Sequence, residues 1–260
     1  MRDILKLKKY AREVRKDILD MLVNGGHFGG SFSCTEILLT LYMDTLTKID
    51  KFILSKGHAS VALYSVLSKK GMIDRNILTT HRKNGSILGV HAERYLVPGV
   101  ELSCGSLGHG LSYGGGIALG NKLNHKDGKV FVLLGDGESE EGSVWEAIMF
   151  ASQHNLDNLI AIVDYNHIQS MGRVEDIVNL EPLADKWKSF GWEVMEVNGH
   201  DFEALIQTFD KIQHLKGKPI TIIAHTLKGK GLSIIENKSN CHYPKLNEEE
   251  VAIAKEELKI

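Results

Sequence analysis

Two apolar runs of the sequence are each followed closely by a polar residue with a side-chain oxygen, and this arrangement constrains the fold more than any other feature. Residues 130–134 precede Asp136, and residues 159–163 precede Asn166. Each run has the length and composition of a buried strand, while residues 142–154 between them fit a helix. In such a strand, helix and strand unit, the carboxyl ends of both parallel strands meet at one edge of the sheet. We therefore expect Asp136 and Asn166 to converge.

Carboxylate and amide oxygens at such an edge suit a hard divalent cation that also holds phosphate oxygens. Mg2+ has this preference and completes its coordination with water and substrate phosphates. Gly135 and Gly137, on either side of Asp136, would let phosphates approach the backbone because neither residue carries a Cβ. A Gly-Asp-Gly sequence is also common in plain turns, and asparagine often ends a strand. Both interpretations remain open on these residues alone.

Composition indicates an ordinary soluble globular chain. Of its 260 residues, 43% are hydrophobic and 25% are charged, a balance typical of folded proteins with one substantial core. The formal net charge of −2 gives no footprint for nucleic acid, and no basic amphipathic segment indicates a membrane surface. Residues 1–9 mix both charges too early for a secretory signal, and no apolar run is long enough to span a bilayer. We therefore expect a cytoplasmic protein.

The spacing of apolar residues predicts a single α/β domain over residues 1–260. Asp201 is placed to cap the helix that follows it. No internal repeat or Pro-rich linker indicates a domain boundary. Beyond the unit described above, the predicted helices cover residues 3–23, 35–46, 59–67, 111–123, 201–214 and, as a solvated helix, 246–260, and the predicted strands cover residues 192–197 and 219–224.

Four histidines stand beside or between glycines at the predicted junctions between elements: His27, His58, His91 and His109. A single loop histidine is usually exposed and inert. Their recurrence favours a shared site, because glycine permits close approach of a ligand and imidazole can donate, accept or relay a proton near neutral pH. Metal binding is the rival interpretation, although the sequence offers no two histidines four residues apart on one helix.

A series of short motifs, taken in order, resembles the amino-terminal half of transketolase, a thiamine diphosphate enzyme. The Gly-Asp-Gly sequence and the asparagine that follows it resemble the diphosphate site of this enzyme class. The resemblance extends from about His27 to His242 and implies the thiamine diphosphate-binding fold, with a mostly parallel central sheet flanked by helices on both faces. The motifs are found at residues 26–31, 55–59, 89–93, 97–101, 105–110, 135–138, 142–147, 164–166, 198–201 and 228–231.

The resemblance also implies roles for individual residues. The metal ion, Mg2+ with Ca2+ or Mn2+ as substitutes, would be held by the Asp136 carboxylate, the Asn166 side-chain oxygen and the Ile168 main-chain carbonyl. The groups that line the substrate channel and assist proton transfer would be His27, His58, His91 and His242. The cofactor would be bound by His58, Gly105, Ser106, Leu107, Gly108, His109, Gly135, Asp136, Gly137, Glu138, Asn166, Ile168, Lys228 and His242.

The reaction implied by the resemblance is transfer of a two-carbon ketol unit from a ketose phosphate to an aldose phosphate, with pentose phosphates as the default substrates. Three positions depart from the family pattern: Phe28 stands in place of a proline, Tyr165 in place of a small polar residue, and Cys241 in place of a tryptophan. None of the three is an implied metal ligand.

Transketolases use a second domain of similar size, whose glutamate activates the cofactor. Because the sequence ends at Ile260, the resemblance implies the first subunit of a split transketolase, which needs a separate carboxyl-terminal subunit to supply this glutamate. Two copies of each subunit would form a heterotetramer. Two alternatives remain open: half of another thiamine diphosphate enzyme, deoxyxylulose phosphate synthase-like or 2-oxo acid dehydrogenase-like, or a noncatalytic binding subunit.

Overall fold

A parallel β-sheet organises the chain. The computed structural model describes residues 2–259, apart from the side chain of Ser239. Every neighbouring pair of strands is parallel, in the spatial order β1-β2-β3-β5-β4. Within the described range the strands are β1 (Lys51–Leu54), β2 (Val130–Gly135), β3 (Leu159–Tyr165), β4 (Glu193–Asn198) and β5 (Ile220–His225).

Four of these strands confirm the sequence prediction, and β1 adds to it. Strands β2 to β5 coincide, within one or two residues, with the predicted apolar segments. Strand β1 has only four residues and begins with Lys51, so it lacks the apolar run that marks a strand in the sequence. It pairs with β2 from Lys51 opposite Val130 to Leu54 opposite Leu133.

The helices lie mostly where the apolar spacing predicts them. The predicted helix at residues 35–46 is divided, because α3 ends at Thr40 and a π-helical turn, Leu41–Thr45, follows it. No helix of the described residues is both long and apolar enough to cross a membrane. The helices are α1 (Ile4–Leu22), α2 (Phe28–Ser33), α3 (Thr35–Thr40), α4 (Ser60–Lys69), α5 (Gly110–Leu123), α6 (Gly142–Gln153), α7 (Val174–Ile177), α8 (Leu183–Ser189), α9 (Phe202–Ile212) and α10 (Glu248–Glu257).

Both faces of the sheet are buried. In β2, Phe131 and Leu133 belong to a core formed with α1 to α4 and α9, whereas Val132 and Leu134 belong to a second core formed with α5, α6 and α8. Consecutive side chains of a strand point to opposite faces, so a sheet covered on both sides needs the continuous apolar runs seen in β2 and β3. The predicted α/β class, with helices on both faces of a parallel sheet, is therefore confirmed.

The carboxyl ends of all five strands open onto the same edge of the sheet. The polar segments that follow β1, β2 and β3 begin at Ser55, Asp136 and Asn166, and the segment after β5 begins at Thr226. Asp201 caps α9 as predicted, since its side chain accepts hydrogen bonds from the N–H groups of Glu203 and Ala204. The fold thus places polar loops from distant parts of the sequence side by side.

Candidate functional site

A cleft of about 450 Å³ lies at this edge of the sheet. Most of the site residues predicted from the sequence line it, which brings together eight separate chain segments. The roles assigned to them remain predictions. The predicted residues that line the cleft are His27, His58, His91, Gly105, Leu107, Gly135, Asp136, Gly137, Glu138, Asn166, Ile168, Lys228 and His242.

Asp136 is a buried carboxylate held by backbone donors. Its Oδ1 accepts the N–H of Gly137 at 2.8 Å, and its Oδ2 accepts the N–H of His167 at 2.6 Å. Burial, followed by the negative charge of nearby Asp164, raises the pKa of Asp136 to about 6. A bound cation would supply the positive charge that stabilises the ionised carboxylate in this buried position.

The Asn166 side chain is fixed by two hydrogen bonds. Its Nδ2 donates to Asp164 Oδ2 at 3.4 Å, and its Oδ1 accepts the N–H of Ile168 at 3.2 Å. A Cβ built on Gly137 would lie 2.8 Å from the Gln169 Cδ, so a larger residue here would displace the Gln169 side chain from the turn after β2. This close approach brings the Asp136 turn against the segment that carries Asn166 and Ile168.

These oxygen groups fit the ion that the resemblance implies. A carboxylate, an amide oxygen and a main-chain carbonyl are the ligands that Mg2+ and Ca2+ prefer. Among residues 2–259, no three His, Cys, Asp or Glu side chains are arranged to hold a metal ion. An ion at this edge would therefore depend on Asn166 and Ile168 as well as on Asp136.

Lys228 places a positive charge inside the cleft. Its Nζ donates to the carbonyl oxygen of Ile168 at 2.6 Å and to that of Gln169 at 3.2 Å, and it lies 3.0 Å from His242 Nδ1. Burial lowers the pKa of the Lys228 ammonium to about 8. The group stays largely protonated at neutral pH and is suited to a phosphate oxygen.

Four histidines form a cluster on one wall of the cleft. The ring centres of His27 and His58 are 5.5 Å apart, those of His27 and His242 are 5.1 Å apart, and those of His27 and His91 are 6.4 Å apart. Burial and then neighbouring positive charge lower the pKa of His27 to about 4 and that of His242 to about 3. Both imidazoles are thus neutral at pH 7, so each can donate one hydrogen bond and accept another.

Acid is expected to destabilise the protein through His27. The unfolded chain takes up a proton near pH 6.5, whereas folded His27 does so only near pH 4. The contribution of neutral His27 is therefore complete above about pH 6.5 and declines as the pH falls toward 4. Urea denaturation at pH 7 and pH 5 measures this change, and the variant His27→Gln should lose less stability over the same interval. Equal losses in the two proteins would contradict the prediction.

Glu138 holds the loop before α5 against the turn after β2. Its Oε1 accepts the Ser55 hydroxyl and the N–H of Gly108 at 2.9 Å, and its Oε2 accepts the N–H of Gly135 at 3.1 Å. Burial raises the pKa of Glu138. Because its oxygens accept these three donors, its evident contribution to the site is to hold neighbouring segments together.

The predicted cofactor loop contributes unequally to the cleft. Gly105 and Leu107 line it, and a Cβ built on Gly105 would lie 3.3 Å from His91 Nδ1. Ser106 and His109 instead line a neighbouring hollow of about 460 Å³. Gly108 is outside the cleft lining and adopts a left-handed backbone, with φ of 82°. Contacts of these three residues with a cofactor remain predictions.

Sequence reasoning missed Lys56 and Asp164, which form a buried ion pair at the cleft. Both lie inside motifs that the sequence displays, at residues 55–59 and 164–166. Their pairing leaves no local signal because the two residues are 108 positions apart. Further cleft residues without a sequence signal are Glu140, Glu141, Gln169 and Ser170.

The three departures from the family pattern are accommodated by local packing. Phe28 is fully buried as the first residue of α2, with its ring centre 6.1 Å from that of Phe32. Tyr165 is buried and its hydroxyl donates to Glu181. Cys241 is buried and unpaired. Each departure fills space beside the cleft rather than a position of an implied metal ligand.

Comparison with known proteins agrees with this geometry. The family model described as "Transketolase, thiamine diphosphate binding domain" matches residues 6–260. The chain is 42% identical over 248 residues to a subunit of the apulose-4-phosphate transketolase of Phocaeicola vulgatus, covering 91% of this chain and 88% of that protein. It is 39% identical over 257 residues to the 6-deoxy-6-sulfo-D-fructose transketolase subunit SqwG of a Clostridium species, covering 94% and 93%.

Solved structures show the same fold within longer chains. Transketolase from Campylobacter jejuni superposes with a TM-score of 0.90 at 31% identity, over 99% of this chain and 43% of that one. Transketolase from Leishmania mexicana gives a TM-score of 0.90 at 28% identity, over 99% and 41%. This chain thus spans about two-fifths of those transketolase chains. It belongs to the transketolase family and corresponds to the family's amino-terminal, thiamine diphosphate-binding domain.

Proposed function

We propose that this chain is the amino-terminal subunit of a Mg2+-dependent transketolase, which transfers a two-carbon ketol unit from a ketose phosphate to an aldose phosphate. One observation carries the proposal: the candidate oxygen ligands, a buried lysine and four histidines all line the same cleft. An ion and diphosphate site and a set of proton donors and acceptors for sugar hydroxyls are the two components that such a reaction requires.

Asp136, Asn166 and the Ile168 carbonyl would hold the ion, and Lys228 would contact the diphosphate. The Lys228 ammonium donates to the Ile168 carbonyl oxygen at 2.6 Å, so it lies beside the proposed ion ligands and would turn toward a phosphate oxygen when that carbonyl holds the ion. Gly135 and Gly137 would let the phosphates approach the backbone of the turn after β2. When bound, thiamine diphosphate supplies the electron sink for cleavage of the bond beside the ketose carbonyl.

The histidine cluster would orient the sugar and move protons. His27 and His242 are neutral at pH 7, and so is His58, whose pKa burial lowers well below its ordinary value. A neutral imidazole can accept a proton from a hydroxyl that becomes a carbonyl, and it can return the proton when the reaction runs toward the acceptor sugar. His91, next to His27, would complete the wall that contacts the hydroxyls.

Activity would require a separate carboxyl-terminal subunit. Two relatives that match almost end to end are named as subunits of transketolases, which supports a two-chain enzyme. The partner would supply the activating glutamate and cover the open side of the cleft. Two copies of each chain would form a heterotetramer with closed symmetry.

The substrates would be sugars with an anionic end group. The names of the relatives specify apulose 4-phosphate in one case and 6-deoxy-6-sulfo-D-fructose in another, which differ in the sugar but share an anionic substituent. A sugar phosphate is the simplest choice for this chain. Pentose phosphates are the first donors and acceptors to be assayed.

The expected result is that ketol transfer appears only when the two chains are mixed. This chain is copurified with its partner and supplied with Mg2+ and thiamine diphosphate. The formation of product then measures transfer from a ketose phosphate to an aldose phosphate. Either chain by itself should give less than about 1% of the mixed rate, because the activating glutamate and the diphosphate site lie on different chains. Enzyme-like transfer by this chain without the partner would contradict the split arrangement. Turnover of pyruvate in preference to a ketose phosphate would indicate another thiamine diphosphate enzyme.

A further inference from the structure

Lys56, which lines the floor of the cleft, forms a buried ion pair with Asp164, which lies behind that lining. The exposed fractions of the two side chains are 1% and 0%. Lys56 Nζ donates to Asp164 Oδ2 and to the carbonyl oxygen of Gly30 at 3.0 Å. Lys56 follows β1 and Asp164 lies near the end of β3, so the pair spans the end of β2, the strand between them.

The Asp164 carboxylate joins further segments at the same point. Its Oδ2 accepts the Ser33 hydroxyl at 2.5 Å, and its Oδ1 accepts the Thr226 hydroxyl. The Asn166 Nδ2 donates to Asp164 Oδ2, which orients the amide; its oxygen accepts the N–H of Ile168 and keeps a second lone pair. One carboxylate therefore ties α2, the segment after β1, the end of β3 and the segment after β5.

Lys56, Asp164, Thr226 and Gly30, whose carbonyl accepts from Lys56, each stand two or three positions from a predicted site residue, whereas Ser33 lies six positions from His27. Because these sequence distances are short, displacement of the carboxylate would shift four cleft residues. These four residues come from distant parts of the sequence. Lys56 lies two positions before His58, Asp164 two before Asn166, and Thr226 two before Lys228. Gly30 lies three positions after His27.

Stability alone does not account for such a pair. Removing two charges from water is costly, and a buried ion pair replaced by apolar side chains of similar size often gives an equally stable or more stable protein. Resting on the proposed function, we infer that Lys56 and Asp164 are positioning residues that set the geometry of the thiamine diphosphate cleft. They act through His58, Asn166, Lys228 and His27 and need not touch the cofactor.

The test compares a broken pair with an apolar pair. Lys56→Met leaves Asp164 buried without its cation and should lower the melting temperature. The double variant Lys56→Met with Asp164→Leu removes both charges and should recover only part of that loss, because the Ser33 and Thr226 hydroxyls lose their acceptor. It should still bind thiamine diphosphate with Mg2+ at least about tenfold more weakly in calorimetric titration. Recovery of both stability and affinity in the double variant would overturn the inference.

A matched control is the exposed pair of Lys16 and Asp20, whose charged atoms are 3.0 Å apart. The double variant Lys16→Met with Asp20→Leu makes the same chemical change away from the cleft. It should leave the affinity for thiamine diphosphate unchanged. Equal weakening by both double variants would overturn the inference, since the effect would not depend on the cleft.

A second measurement separates this inference from the proposed function. If the wild-type chain fails to bind thiamine diphosphate in the presence of Mg2+ and the partner, the proposed function is wrong. Backbone hydrogen exchange of the metal-free chain then decides the positioning role. In the cleft double variant, amides of residues 27–31, 56–59, 166–169 and 226–229 should exchange at least about tenfold faster while the rest of the sheet keeps its protection. Unchanged protection in these segments would overturn the inference.

Discussion

Replacing Asp136 by alanine is expected to remove Mg2+-dependent binding of thiamine diphosphate. Asp136 is the one carboxylate among the three proposed ion ligands, and it is buried. Loss of a residue that merely supports a metal ligand costs about 10–100-fold in affinity, so loss of the charged ligand itself should cost at least that much. Calorimetric titration with thiamine diphosphate, with and without Mg2+, measures the change.

The control for Asp136→Ala is Asp127→Ala, which removes an exposed carboxylate a short distance away in the sequence. This variant should bind thiamine diphosphate as the wild type does. Burial and then the negative charge of Asp164 disfavour the ionised Asp136 carboxylate, so its loss relieves a cost that offsets the loss of its two backbone hydrogen bonds. Asp136→Ala should therefore unfold at about the same temperature as wild type. Weakened binding would therefore report the ion site rather than unfolding. Unchanged Mg2+-dependent affinity in Asp136→Ala would remove this residue from the site.

The sheet and the residues proposed as ion ligands can be predicted from the sequence because each leaves a local signal. Residues 130–134 and 159–163 are continuously apolar since their strands are covered on both faces, and Asp136 and Asn166 follow them directly. Strand β1 lacks this signal because it is short and starts with a lysine. Local pattern thus predicts four of the five described strands, including the edge strand β4, and misses the short edge strand β1.

The buried ion pair at the floor of the cleft cannot be predicted from local sequence patterns in the same way. Lys56 and Asp164 are charged residues that a sequence pattern assigns to the surface, and only their contact explains why both are buried. The direction of loop residues is equally hidden: Leu107 faces the cleft, whereas Ser106 faces the neighbouring hollow. Long-range pairing and side-chain direction depend on the three-dimensional fold, so motif spacing cannot supply them.

Replacing Arg15 by methionine is expected to destabilise the protein by about 3–5 kcal/mol, the cost of breaking a buried ion pair. Arg15 donates from Nη1 to Glu36 Oε1 at 2.7 Å, from Nη2 to Glu36 Oε2 at 2.9 Å and from Nε to the Lys230 carbonyl at 2.7 Å. The variant leaves Glu36 buried with His200 as its remaining partner, at 3.0 Å. For a chain of this size the melting temperature should fall by roughly 6–20 °C.

The neighbouring variant Lys16→Met is the control. Lys16 lies on the same helix, and its ion pair with Asp20 is half exposed, so its loss should cost only about 0.3–0.5 kcal/mol. Urea denaturation of both variants at pH 7 gives the comparison. Similar small losses in the two variants would mean that the Arg15 and Glu36 pair contributes no more than an exposed one.

The dependence of this effect on pH identifies its cause. The Arg15 charge and the His200 hydrogen bond outweigh burial and lower the pKa of Glu36 to about 2, so the stability that the carboxylate contributes is present above its ordinary pKa and is lost as the pH falls toward 2. Without Arg15, burial should raise the pKa of Glu36, and protonation should relieve the unpaired charge in mild acid. The gap in unfolding free energy between wild type and Arg15→Met should therefore narrow from pH 7 to pH 4. A gap that stays constant over this interval would show that Arg15 acts through packing and its bond to the Lys230 carbonyl, because neither of these depends on the charge of Glu36.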